Sequence, residues 1–320
     1  MNLKKKLNVV VILTLIMSIF LFGCNVAASD KNTRETDGKT LTDSSNDWPK
    51  KLIFAYLPNE ESADDNRKAA RDMLMEDMTE YLGIPVEVKI CDDYNAVIET
   101  MKNGNAQIAS FGPFSYIIAN ERSNAEAVVV TAKNEAGAFY NSLLITHKDT
   151  GIKTMEDIRG KSMSFVDPAS TSGNLVPRST IVRVLGVNPE DIDTKVFSSV
   201  QYAGNHQNSF MAAANKSVEV AAVQISTYEK AIKEGLVNEE DIHIISQSDP
   251  IPSSPIAIHG DLPLDLKEKL TNFFITYENA EYFKLSGLEG KRFIAIEDSK
   301  YDGIRDIAAS MNLSPEELLK

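Results

Sequence analysis

Three adjacent hydroxyls, Ser170-Thr171-Ser172, are followed at once by Gly173 and, four residues later, by Pro177. A proline lacking its N–H fits only the first turn of a helix, so the hydroxyl run lies at a helix mouth. Backbone N–H groups are unpartnered there and the helix dipole is positive, which suits a phosphate-like anion. Capping a helix takes one hydroxyl, and this run offers three rotatable donors. Gly173 is expected to let backbone approach the ligand without a Cβ in the way. Since Ser, Thr and Asp are also the commonest helix caps, the rest of the chain has to decide between capping and binding.

The elements that would carry this run repeat a βα pattern. Strands are expected over Lys51–Tyr56, Pro85–Cys91 and Ala106–Phe111, with helices over Glu60–Leu82 and Tyr94–Met101 between them, the order of a parallel sheet. A second cycle follows: strand Tyr140–Thr146, short helix Met155–Arg159, strand Ser162–Val166, and the hydroxyl run opening a helix that ends at Leu185-Gly186. Strands Lys195–Val200 and Val218–Val223 then flank a helix over His206–Asn215, and helices Leu264–Tyr277 and Asp302–Met311 close the chain. Parallel sheets bind ligands beyond the carboxyl ends of their strands. Tyr94, the run Ser170 to Ser172, and His206 all follow a strand at that end.

The N-terminus is of another kind. Lys4-Lys5-Lys6 precedes a short apolar stretch from Leu7 to Phe22 and then Gly23-Cys24, the form of an export leader. A small residue before the cysteine resembles the lipobox of bacterial lipoproteins, in which Cys24 is lipidated and becomes the first mature residue. The tract from Asn25 to Pro49 is too poor in large apolar residues to fold and reads as a tether. Cys91 is the other cysteine, so no intrachain disulfide is expected and a packed structural thiol is.

The formal charge of −13 becomes about −16 without the leader lysines, and no basic stripe is present, which argues against a nucleic-acid partner. In so acidic a body an anion site must work through local dipoles and aligned donors. The four histidines, His147, His206, His243 and His259, have no metal-ligand spacing, so neither metal nor cofactor is expected.

Several segments together resemble the phosphonate- and phosphite-binding lipoproteins of ATP-driven importers, within the type II periplasmic-binding-protein fold. They are Asp93-Tyr94-Asn95-Ala96-Val97-Ile98, Ala109-Ser110-Phe111-Gly112-Pro113, Tyr140-Asn141-Ser142-Leu143-Leu144-Ile145, Asp167-Pro168 through Val176-Pro177, and Gly204-Asn205-His206-Gln207-Asn208-Ser209. The resemblance implies an α/β clamshell of two lobes, each with a parallel-rich sheet, joined by two crossover hinge strands near Tyr140–Thr146 and Ile245–Ile251. It implies a small phosphorus oxyanion held by Ser170, Thr171, Ser172, His206, Tyr94 and Tyr140, with Gln224, Ser226 and Ser254 as a second tier. Relatives that bind 2-aminoethylphosphonate place carboxylates where Ser226 and Ser254 stand, and relatives for compact ligands often have an aspartate where Gln224 stands. An amine-bearing ligand is therefore not expected.

The resulting organisation is a leader over 1–23, a tether over 24–49, one lobe from 50–144 and 250–320, and a second from 145–249. The function implied is that of a lipid-anchored monomeric receptor on the extracytoplasmic face of the cell membrane, delivering phosphite, phosphate or a small phosphonate to an importer's permease and performing no chemistry. Two alternatives stand beside it. One is a sensor of the same fold; the other, an exported hydrolase using Ser172 with His206, lacks a Gly-x-Ser-x-Gly elbow and an acid to orient the histidine.

Overall fold

The computed structural model describes residues 47–57 and 65–313; Cys24, the leader and most of the expected tether lie outside them. β1 (Leu52–Tyr56) pairs in parallel with β2 (Val86–Ile90) and β3 (Ile108–Ser110), and α1 (Asp65–Leu82) and α2 (Tyr94–Lys102) make the crossovers. The expected start of the first helix, Glu60, falls outside the described residues. α3 (Pro113–Ser123) leads to β4 (Glu126–Ala132). Two strands from the chain's last third, β12 (Pro255–Ile258) and β13 (Arg292–Ala295), complete a six-stranded sheet in the order β13-β4-β12-β3-β1-β2.

β5 (Phe139–Tyr140) and β11 (Ile251–Pro252) form a separate antiparallel ribbon, pairing Ile251 with Tyr140 and Pro252 with Phe139. Beyond it stands a five-stranded sheet, β10-β6-β9-β7-β8, made by β6 (Ser142–His147), β7 (Ser162–Phe165), β8 (Ser199–Tyr202), β9 (Val220–Gln224) and β10 (Ile242–Gln247). Each sheet is thus the centre of a lobe, in the type II periplasmic-binding-protein fold. The segments expected as crossovers lie mostly inside the second sheet, where β6 and β10 pair with one another. The ribbon that joins the lobes is confined to residues 139–140 and 251–252, and the expected division at residue 144 falls within β6.

Two elements depart from the sequence reading. Lys195–Val200 is no single strand: residues Ile192–Val196 close a wide turn, with the Phe197 N–H donating to the Ile192 carbonyl at 3.2 Å, and β8 starts only at Ser199. α3 escapes an amphipathic pattern because it is buried nearly all round, from Pro113 through Ala119. The helical return packs as its apolar faces demand, α7 (Leu264–Thr276) burying Leu266, Leu270, Phe273 and Phe274, α8 (Ala280–Leu285) burying Tyr282 and Phe283, and α9 (Asp302–Ser310) burying Ile304 and Ala308. Cys91 is buried beside Thr100, and burial raises its thiol pKa, as befits a structural cysteine.

Candidate functional site

A cavity of about 390 Å³ lies between the lobes. Five helix N-termini meet it. They belong to α2 at Tyr94, to α3 at Gly112, to the turn Thr171–Leu175 that opens α4 (Val176–Leu185), to α5 (His206–Ala214) and, through Gln224 and Ser226, to α6 (Ile225–Lys233). Each brings partial positive charge without a titrating group. Lys291 is the one Lys or Arg among the described lining residues, and no Asp or Glu is among them.

The hydroxyl run is fixed by its own hydrogen bonds. Ser170 Oγ accepts from the Gly173 N–H at 3.1 Å, and Ser142 Oγ donates to the Ser172 carbonyl at 2.6 Å. Thr171 Oγ1 accepts from the Phe114 N–H at 2.8 Å, across the lobe boundary at the mouth of α3, which leaves its own proton to donate. A Cβ at Gly112 would meet Thr171 Oγ1 at 3.4 Å and Tyr94 Cε1 at 3.9 Å, ordinary contact distances, so this approach does not depend on the glycine. Gly173 has a different task from the expected one. A Cβ on it would strike Val166, whose N–H donates to the Gly173 carbonyl at 2.9 Å, so the glycine serves packing of the turn against β7.

Behind the run, Asn174 Nδ2 donates to the Pro168 carbonyl at 2.8 Å while Arg178 Nε donates to Asn174 Oδ1 at 2.7 Å. The Arg178 guanidinium lies 4.1 Å over the ring of fully buried Phe165 and pairs with Asp193 at 2.7 Å. A buried phenylalanine contributes about 1.5–3 kcal/mol, so the base of the run rests on core packing.

His206 is buried, and its Nδ1 accepts from the Gln224 N–H at 3.1 Å. The remaining proton is therefore on Nε2, and the ring is a donor. Burial pushes its pKa down to about 3, so it is neutral at physiological pH. Tyr140 is pushed up to about 12 by burial, against the pull of the Ser172 and Thr171 hydroxyls that face its phenol. Asp167, three residues before the run, is raised to about 6, first by burial and also by Asp93; the N–H groups of Ala169 and Tyr94 act the other way.

All nine expected ligand residues line the cavity: Tyr94, Tyr140, Ser170, Thr171, Ser172, His206, Gln224, Ser226 and Ser254. Among those the sequence did not single out, Tyr56 ends β1 and could have been found from the strand-end rule. Phe139, Tyr282 and Lys291 carried no such signal.

Comparison with known proteins identifies the family. The family described as the periplasmic substrate-binding protein of the ABC phosphonate transporter matches residues 54–301. The phosphate-import protein PhnD of Mycolicibacterium smegmatis is 29% identical, covering 81% of this chain and 85% of its own length. The phosphonates-binding periplasmic protein of Escherichia coli is 28% identical over 81% of this chain and 76% of its own. A solved binding-protein component of an ABC phosphonate transporter from Pseudomonas aeruginosa superposes with a TM-score of 0.71 at 26% identity, covering 82% of this chain and 86% of that one. With the match spanning most of the folded body, the chain belongs to the family of periplasmic substrate-binding proteins of ABC phosphonate transporters.

Proposed function

We propose that this chain captures a small phosphorus oxyanion (phosphite, phosphate or a small phosphonate) in the interlobe cavity and hands it to the permease of an ABC importer. The observation that carries this reading is the convergence of five helix N-termini on a cavity whose described lining holds no carboxylate. Hydrogen bonds to a charged ligand contribute about 1.5–3 kcal/mol each, so a handful reaches the roughly −8 kcal/mol of micromolar binding after ordering costs. Thr171, Ser172, Ser170, His206 and Tyr140 are the donors, with Tyr94 closing from the first lobe. Hydrolysis by Ser172 is disfavoured, because His206 offers a proton on Nε2 and has its other nitrogen engaged.

Selectivity follows from the second tier. Ser226, Ser254 and Gln224 give an ammonium no countercharge, and an unpaired buried ammonium is costly. Calorimetric titration should show phosphite, phosphate or methylphosphonate binding at least about tenfold more tightly than 2-aminoethylphosphonate. Equal or tighter binding of the amine would refute this.

Residues 1–23 act as the leader, Cys24 as the lipidated anchor and 24–49 as the tether, which places a monomeric body outside the cell membrane. Among the described residues its lobes are 50–57 with 65–140 and 251–313, and 141–250, with boundaries that follow the ribbon rather than residue 144. Cys24→Ala should abolish metabolic lipid labelling and leave the ligand affinity of the body unchanged; labelling that persists would disprove the anchor.

A further inference from the structure

We propose that Lys291 equips the cavity for phosphonates whose substituent ends in a second anionic group, a carboxylate. The proposal rests on the phosphorus-oxyanion reading above and deepens it; phosphite and phosphate use the same donors and leave the far end to water. A phosphoryl group with one methyl fills roughly 150 Å³, at about 30 Å³ per water-sized group. The cavity measures about 390 Å³, so more than half of it is left for a substituent. The first sheet sets the direction of that space. Ser110 on β3 pairs with Ile256 on β12, Thr131 on β4 pairs with Phe293 on β13, and all four line the cavity. Its floor therefore runs from β3, where α3 brings its N-terminus, across to β13. With neighbouring strands about 4.8 Å apart, β13 lies about 14 Å from β3.

Lys291 stands at the β13 end, two residues before Phe293. Its N–H donates to the Leu288 carbonyl at 2.9 Å, in a turn that Gly290 closes with a φ of 73°. The four-carbon stem of a lysine and a substituent of about two carbons together span much of the distance back to the donors. Charge names the end group. Among the described residues Lys291 is the one cation lining the cavity, and its ammonium has no carboxylate partner. Other lysines of the same lobe are paired, Lys267 with Glu126 at 2.8 Å and Lys284 with Glu281 at 3.8 Å. An unpaired ammonium beside a lining without acids complements a ligand carboxylate and repels a ligand amine, in keeping with the serines of the second tier.

The test titrates the protein calorimetrically with 3-phosphonopropionate, its neutral isostere 3-phosphonopropionamide, methylphosphonate and phosphate, at about pH 7.5, where the carboxylate is ionised. Lys291 is exposed at the rim, so the acid should bind about threefold to fivefold more tightly than the amide, the gain of a solvent-screened ion pair. Added salt should shrink that ratio. Lys291→Met should bring it to about one, and Lys291→Arg should keep it. A ratio of one in the unmodified protein, or a ratio that survives in Lys291→Met, would overturn the proposal while leaving phosphorus-oxyanion binding intact. Failure of all four ligands to bind would overturn the functional reading with it.

Discussion

On the second-lobe wall of the cavity the polar groups are tied down from behind: Ser170 by Gly173, the Ser172 carbonyl by Ser142, His206 by the Gln224 N–H, and the whole run by Asn174 and Arg178. The first-lobe wall meets the same space with the rings of Tyr56, Tyr94 and Tyr282, the mouth of α3 at Gly112, and Ser253 and Ser254. One wall is a preorganised socket, and the other is a cover. The difference teaches that one wall holds its donors fixed in advance while the other presents mainly rings, and that the selectivity groups proposed above are divided between them, Gln224 and Ser226 on the socket and Ser254 on the cover.

The comparison can be broken first at the socket. Thr171→Ala and His206→Ala should each weaken oxyanion binding by about 1–3 kcal/mol, roughly fivefold to 150-fold, since each removes a proposed donor to a charged group. Loss of stability should be much smaller, because a helix cap contributes only about 1 kcal/mol. Calorimetry beside thermal melting separates the two, and a large drop in melting temperature at unchanged affinity would mean that these residues only cap helices.

A smaller effect should come from charging both walls at once. Ser226 opens α6 on the socket side and Ser254 precedes β12 on the cover side. Ser226→Glu with Ser254→Asp should narrow or invert the preference against 2-aminoethylphosphonate by about tenfold, while each single change does less. Competition between that ligand and methylphosphonate measures it directly.

Asp167 should give the smallest effect, at the seam of the two walls. Its pKa is raised to about 6 in the fold, chiefly by burial, so the folded state takes up a proton more readily than the unfolded chain. Stability from this group is therefore fully present below the ordinary carboxyl range and is lost as pH rises through about 6. Melting curves of the wild type should gain on those of Asp167→Asn as pH falls from about 7 to about 4. A constant gap between the two curves would disprove the assignment.

Much of the lining of the candidate site was legible because its residues follow strand ends and because three hydroxyls exceed what one cap requires. The turn before Pro177, the strand ending at Cys91 and the helix opened by His206 are local patterns, and local patterns survive folding. What escaped was set by tertiary packing. α3 is buried on nearly every side, so no 3.6-residue stripe betrays it, yet it supplies both Gly112 and the Phe114 N–H that meets Thr171. Lys195–Val200 has a strand-like run of residues, but backbone closure from Phe197 to Ile192 overrides it. Gly173 looked like an opening for the ligand; the side chain it makes room for is Val166.

The ribbon between the lobes consists of two residue pairs, and one of its four residues is Tyr140, whose phenol faces the hydroxyls of Thr171 and Ser172. The axle of the molecule thus also carries a side chain that lines the cavity. On the function proposed above, any torque that swings the lobes apart would turn that side chain with them and withdraw it from the anion. A permease that spreads the lobes would not need to compete for the ligand donor by donor: unloading would begin in the same stroke that opens the door.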